Sequence, residues 1–168
     1  VVLVATIRAL KSHAGVEFDD LSIENIEALK LGAANLKQHA DNLKKYGVPV
    51  VIAINHFKTD SDSEVKFLRE WCLENNYSVA FFDSFINGGN GAVELANKVI
   101  EVLETKRSNY APIYKLDLSI KDKIATVCKD IYRCDSIEYT DLAIKKLEKY
   151  EGIAANLPIC IAKTPLSF

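Results

Sequence analysis

Three short apolar runs, residues 1–7, 48–54 and 77–82, each precede a segment whose apolar side chains recur at three and four positions. That alternation limits the fold more than any other feature of the chain. A continuous run rich in Val and Ile suits a strand covered on both faces, and a period near 3.6 suits a helix with one buried stripe. Strand, helix, strand, helix, strand, helix in that order requires crossover connections. Crossovers are right-handed and produce a parallel sheet.

The segments carry their own punctuation. Ser22 is placed to cap a long helix with Ile23, Ile26, Leu29, Ala33, Leu36, Ala40 and Leu43 inward, and Gly47 is placed to end it. Ser61 and Glu64 have capping-box spacing ahead of a stripe of Val65, Leu68, Trp71 and Cys72. After a glycine-rich turn, residues 92–104 read as a helix with Val93, Ala96, Val99, Ile100 and Leu103 inward. Ser119 is expected to cap a helix through Ile120, Ile124, Val127 and Ile131. Thr140 is expected to cap a shorter one through Ile144, Leu147 and Tyr150. Residues 157–162 read as a further strand. The expected architecture is α/β: a three-layer parallel sheet with flanking helices, P-loop-NTPase-like or Rossmann-like. Residues 1–106 form the parallel unit, and 107–168 a helical segment and returning strand of the same domain.

Composition narrows function mainly by exclusion. A chain of 168 residues with 49% hydrophobic residues is long enough to bury a core, and no apolar run approaches the about 20 residues that span a bilayer. A formal net charge of −2 with interspersed signs gives no reason to expect a nucleic-acid or membrane partner. Cys72, Cys128, Cys134 and Cys160 show no C-x-x-C spacing and read as structural thiols of a reducing, cytoplasmic compartment. The chain has no methionine and opens directly in a strand pattern. That suggests an interior piece of a larger multidomain enzyme.

In parallel sheets ligands bind beyond the carboxyl ends of the strands, which directs attention to residues 8–15, 55–60 and 83–91. The first segment, read as a polar loop, holds Arg8, Lys11 and His13, which suit a phosphate or carboxylate but also an ordinary solvated loop. The second holds Phe57 where a polar residue is expected, placed either to stack on a planar ligand or to cap the core. His56 reads as a surface histidine and Lys58 as a candidate polar contact. In the third, Gly88, Gly89 and Gly91 allow close backbone approach to a ligand, although the spacing matches neither a P-loop nor a dinucleotide site. Phe81, Phe82 and Phe85 precede them.

The stretches VVLVATIRALK (1–11), VVIAINHFKTD (50–60), YKLDLSIKDKI (114–124) and NLPICIAKT (156–164) occur in the order found in formate-tetrahydrofolate ligases, which this chain resembles over essentially its whole length. The resemblance implies an ATP-dependent enzyme. Formate is activated as formyl phosphate and captured by tetrahydrofolate to give 10-formyltetrahydrofolate, with magnesium and a monovalent cation as cofactors. It also implies a homo-oligomer, and pterin stacking between Phe57 and Phe85. The family's Gly-x-Gly-Lys-Thr loop has no counterpart here, so the isolated chain is expected to be inactive.

The sequence departs from the family pattern at several positions. Phe85 stands where tryptophan is usual, and Lys58 where proline is frequent. Ser12 and Ala14 alter the first segment, Ala154 and Ala155 precede Asn156, and Arg133-Cys134 replaces a Gly-Ala pair. Ala14 and Arg133 remove glycine from turns, which puts the local geometry there in question. Two other readings stay open. One is a nucleotide-binding module, since residues 55–60 also look like the base-reading Asn-Lys-x-Asp loop of GTPases with its spacing broken; the other is a non-catalytic scaffold.

Overall fold

The computed structural model describes residues 1–162. Lys163 and Thr164, which end the fourth resembling stretch, lie outside the described residues. The chain divides into two compact units at Tyr110 and Ala111.

The first unit contains a three-stranded parallel sheet in the order β1 (Val2–Ala5), β2 (Val51–Asn55), β3 (Ser78–Phe82). The register pairs Leu3 with Ile52 and Ile52 with Val79, so these three side chains share one face. On that face they meet Leu29, Leu36 and Ala40 of α2 (Ile26–Lys44) and Leu68 and Cys72 of α3 (Asp62–Glu74). Val51 points to the opposite face and lines a groove with Val99 and Val102 of α5 (Val93–Thr105). Helices on both faces make three layers, the architecture expected from the alternating pattern.

Several boundaries depart from the sequence reading. Residues 8–13 are not loop: β1 stops at Ala5, and α1 (Ile7–His13) begins at once, with the Thr6 hydroxyl accepting from the Ala9 amide at 3.1 Å. Fully buried Ile7 and Leu10 at 5% exposure anchor that helix. Asn25, not Ser22, caps α2, its side chain accepting from Ala28 at 2.9 Å, and Ile23 is exposed. Gly47 does adopt a positive φ of 70°, and a Cβ there would sit 2.1 Å from the Asn109 carbonyl oxygen. The Ser61–Glu64 capping box forms as expected.

The inner stripe of α5 is rotated from the expected one. Val102 is buried and Leu95 and Val99 half-buried, whereas Val93, Ala96, Ile100 and Leu103 are exposed. The apolar band of α5 is wider than the sheet surface it covers, so apolarity alone did not specify which edge faces inward.

The second unit holds α6 (Ile120–Asp130) and α7 (Asp141–Ala154), capped by Ser119 and Thr140 as their spacing predicts. Ile120 is buried, while Tyr150 is exposed. The Lys123 ammonium is fully buried and donates to the carbonyls of Ala155 and Leu157. No strand forms over residues 157–162. The Leu157 amide turns back to the Ala154 carbonyl at 3.0 Å and the Ile159 amide to the Tyr114 hydroxyl at 2.9 Å, so these donors do not enter a sheet ladder.

Candidate functional site

The carboxyl ends of the three strands open into a cleft of about 320 Å³ lined by Arg8, Asn55, His56, Phe57, Lys58, Thr59, Phe85 and Ile86. Each strand delivers its part. Helix α1 leaves β1 so abruptly that Arg8, on its first turn, overhangs the sheet end. The segment after β2 supplies Phe57 and Lys58, and α4 (Ser84–Asn87) after β3 supplies Phe85. Of the residues singled out in the sequence, Phe57, Phe85, Arg8 and Lys58 therefore come together.

The Arg8 guanidinium lies between two rings, 5.8 Å from the centroid of Phe57 and 5.9 Å from that of Phe18. Cation-π contacts of this kind contribute about 0.5–1 kcal/mol at exposed sites and hold Phe57 at a fixed tilt. Phe57 is 39% exposed and Phe85 95% exposed. One aromatic ring is thus contacted by a cation, and the other stands almost free.

The backbone under Phe57 is held by Asp60. Its carboxylate accepts from the Phe57 amide at 2.9 Å, and its own amide donates to the Phe57 carbonyl at 2.9 Å, closing a tight turn. Burial pushes the Asp60 carboxyl above its ordinary range. The Phe57 amide and the charges of His56 and Lys11 pull it down without cancelling the rise, to which Glu64 adds. Sequence reasoning passed over Asp60; its signal was an Asp three residues after an unexpectedly apolar loop residue.

His56 is more enclosed than a surface histidine. Its ring packs against Phe81 at 5.0 Å between centroids, its amide donates to Phe82 at 2.9 Å, and its Nδ1 is buried with no hydrogen-bond partner among the described residues.

Lys11 is corrected outright. It is fully buried, 2.7 Å from Glu64 and 2.9 Å from the Ile23 carbonyl, and it does not line the cleft. It does bind a carboxylate, but one belonging to its own fold. The glycines are likewise absent from the cleft lining. Gly88 and Gly89 face open space, whereas a Cβ on Gly91 would lie 2.2 Å from the Asp83 carboxylate, so Gly91 serves packing against Asp83 rather than ligand approach. Ala14 sits at φ −87° and leaves the positive φ to Gly15, so that departure strains nothing.

No group of three or more His, Cys, Asp or Glu side chains among the described residues is placed to share a metal ion. No helix among the described residues is long and apolar enough to cross a membrane.

Two of these three strand ends, those of β1 and β2, carry two of the four sequence stretches that resemble one enzyme family. A family model described as formate-tetrahydrofolate ligase matches residues 1–168, the full length of the sequence. The chain therefore belongs to the formate-tetrahydrofolate ligase family, whose members join formate to tetrahydrofolate at the expense of ATP.

Proposed function

We propose that this chain supplies the folate side of the ligase site, with the pterin ring held between Phe57 and Phe85. The observation that carries this reading is the convergence of two aromatic side chains from different strand ends on one cleft, beside an arginine already engaged with one of them. A flat heterocycle matches such a cleft, since its two faces can stack on the two rings. Arg8 and Lys58 supply positive charge for an anionic group of the substrates.

On this reading the reaction runs through formyl phosphate. A formate oxygen takes the terminal phosphoryl group of ATP, releasing ADP; the 10-position nitrogen of tetrahydrofolate then attacks the formyl carbon and phosphate leaves. Phe57, Phe85 and the side chains around them hold and orient the nucleophile and keep water from the mixed anhydride. The groups that hold the ATP phosphates, magnesium and a monovalent cation belong elsewhere in the enzyme. The isolated chain is proposed to be inactive, and the full-length enzyme to be a cytoplasmic homo-oligomer.

Replacement of Phe57 by alanine in the full-length enzyme tests the assignment. Loss of one stacking face is worth about 1–3 kcal/mol, so the Michaelis constant for tetrahydrofolate rises roughly tenfold while that for ATP is unchanged. A tetrahydrofolate Michaelis constant equal to that of the unaltered enzyme overturns the role of Phe57.

A further inference from the structure

We propose that Cys128 and Cys134 form a reactive dithiol, oxidised by low-molecular-weight disulfides to an intramolecular disulfide that fastens the segment after α6 to the helix itself. The observation begins in the backbone. Helix α6 ends at Asp130, and Arg133 turns the chain back with a φ of 56°. The Cys134 amide then donates to the Cys128 carbonyl at 3.1 Å, and the Cys134 thiol lies near enough to help hold the Cys128 thiol above its ordinary range. Both side chains are partly exposed, so a small oxidant can reach them. Residues brought together this closely in backbone and side chain meet the first requirement for a disulfide without rearrangement of the helix.

The four cysteines are not equivalent. Burial pushes the Cys72 thiol up to about 12 within the core of the first unit, which leaves it inert. Cys160 is exposed and has no thiol contact described for it. Cys128 is held above its ordinary range by burial and then by the neighbouring Cys134 thiol. The reaction balances as two exchanges. The Cys134 sulfur, giving up its proton, attacks the small disulfide and releases one small thiol. The Cys128 sulfur, also losing its proton, attacks Cys134 and releases the second. Two protein thiols are oxidised by two electrons, and one small disulfide is reduced to two thiols.

Replacing Cys134 by alanine removes only the sulfur and keeps the Cβ and the amide that bonds the Cys128 carbonyl. That makes Cys134→Ala a variant the fold is expected to tolerate. The test treats the full-length protein with glutathione disulfide, traps remaining thiols with an alkylating agent under native and then denaturing conditions, and reads intact and peptide masses. The expected result is loss of two alkylatable thiols of the four in this chain, a mass lower by two hydrogens, and a peptide linking positions 128 and 134. Cys134→Ala and Cys134→Ser abolish the link, while Cys72→Ser and Cys160→Ser leave it intact. Glutathione adducts without a 128–134 link, or a link that survives removal of Cys134, overturns the proposal.

Discussion

Phe57 and Phe85 reach the cleft with unequal support, and Asp60 accounts for much of the difference. Phe57 has Arg8 against its ring and Asp60 bonded to its amide, whereas Phe85 projects from a four-residue helix with almost its whole surface exposed. Asp60 also has a pH signature. Its carboxyl is raised in the folded protein, so the folded state keeps that proton to higher pH than the unfolded chain. Its contribution therefore favours folding in acid and is lost as the pH rises through a window beginning near the usual carboxylate value of about 4. Asp60→Asn keeps an acceptor for the Phe57 amide and removes the titration. In urea unfolding it is at least as stable as the parent at neutral pH, and it loses that advantage in acid. Asp60→Ala leaves the Phe57 amide without its partner, which costs about 1–3 kcal/mol and loosens the ring. Equal stability for both variants across the pH range would remove Asp60 from this role. The aromatic anomaly at Phe57 was visible in the sequence; the Asp60 turn was not, because an Asp in a polar loop carries no distinguishing pattern until its partner is known.

At the scale of elements, the buried pair Lys11–Glu64 joins α1 to the start of α3. Glu64 accepts from Lys11 at 2.7 Å, from the Asn25 amide at 2.9 Å and from the Ser61 amide at 3.3 Å, so one carboxylate ties three segments together. Burial pushes that carboxyl up, but the hydrogen bonds from Lys11, Asn25 and Ser61 outweigh it and hold Glu64 below its ordinary value. Its stabilisation is present above the unfolded-state value of about 4.3 and is lost as the pH falls below it. Removing one partner, as in Glu64→Ala, strands a buried ammonium and costs about 3–5 kcal/mol in urea unfolding, whereas Lys11→Met with Glu64→Leu costs much less. A single variant as stable as the parent contradicts this account.

The same elements show where sequence patterns ran out. The strands and the Ser61 box were legible because period and capping chemistry agree there. Helix α1 was missed because its basic residues look solvated, although Lys11 is buried. The strand expected at 157–162 was inferred from apolarity alone, and the amides there bond locally instead.

On the scale of the whole molecule, the first unit is a parallel sheet that brings three separate strand ends to one cleft. That much was readable from the alternation of strand and helix, since the topology dictates where the loops gather. What the pattern could not show was which residues within each loop face the cleft: Lys11 and the glycines turn elsewhere, while His56, Thr59 and Ile86 join it. The central claim is that Phe57 and Phe85 grip one ring between them. The direct measurement is the dissociation constant of tetrahydrofolate for the full-length enzyme and its Phe57→Ala, Phe85→Ala and doubly substituted forms. Two faces on one ligand predict that each single change weakens binding and that the double change differs from their sum by about 0.5–3 kcal/mol. An unchanged dissociation constant in either single variant, or strict additivity of the two, contradicts the claim.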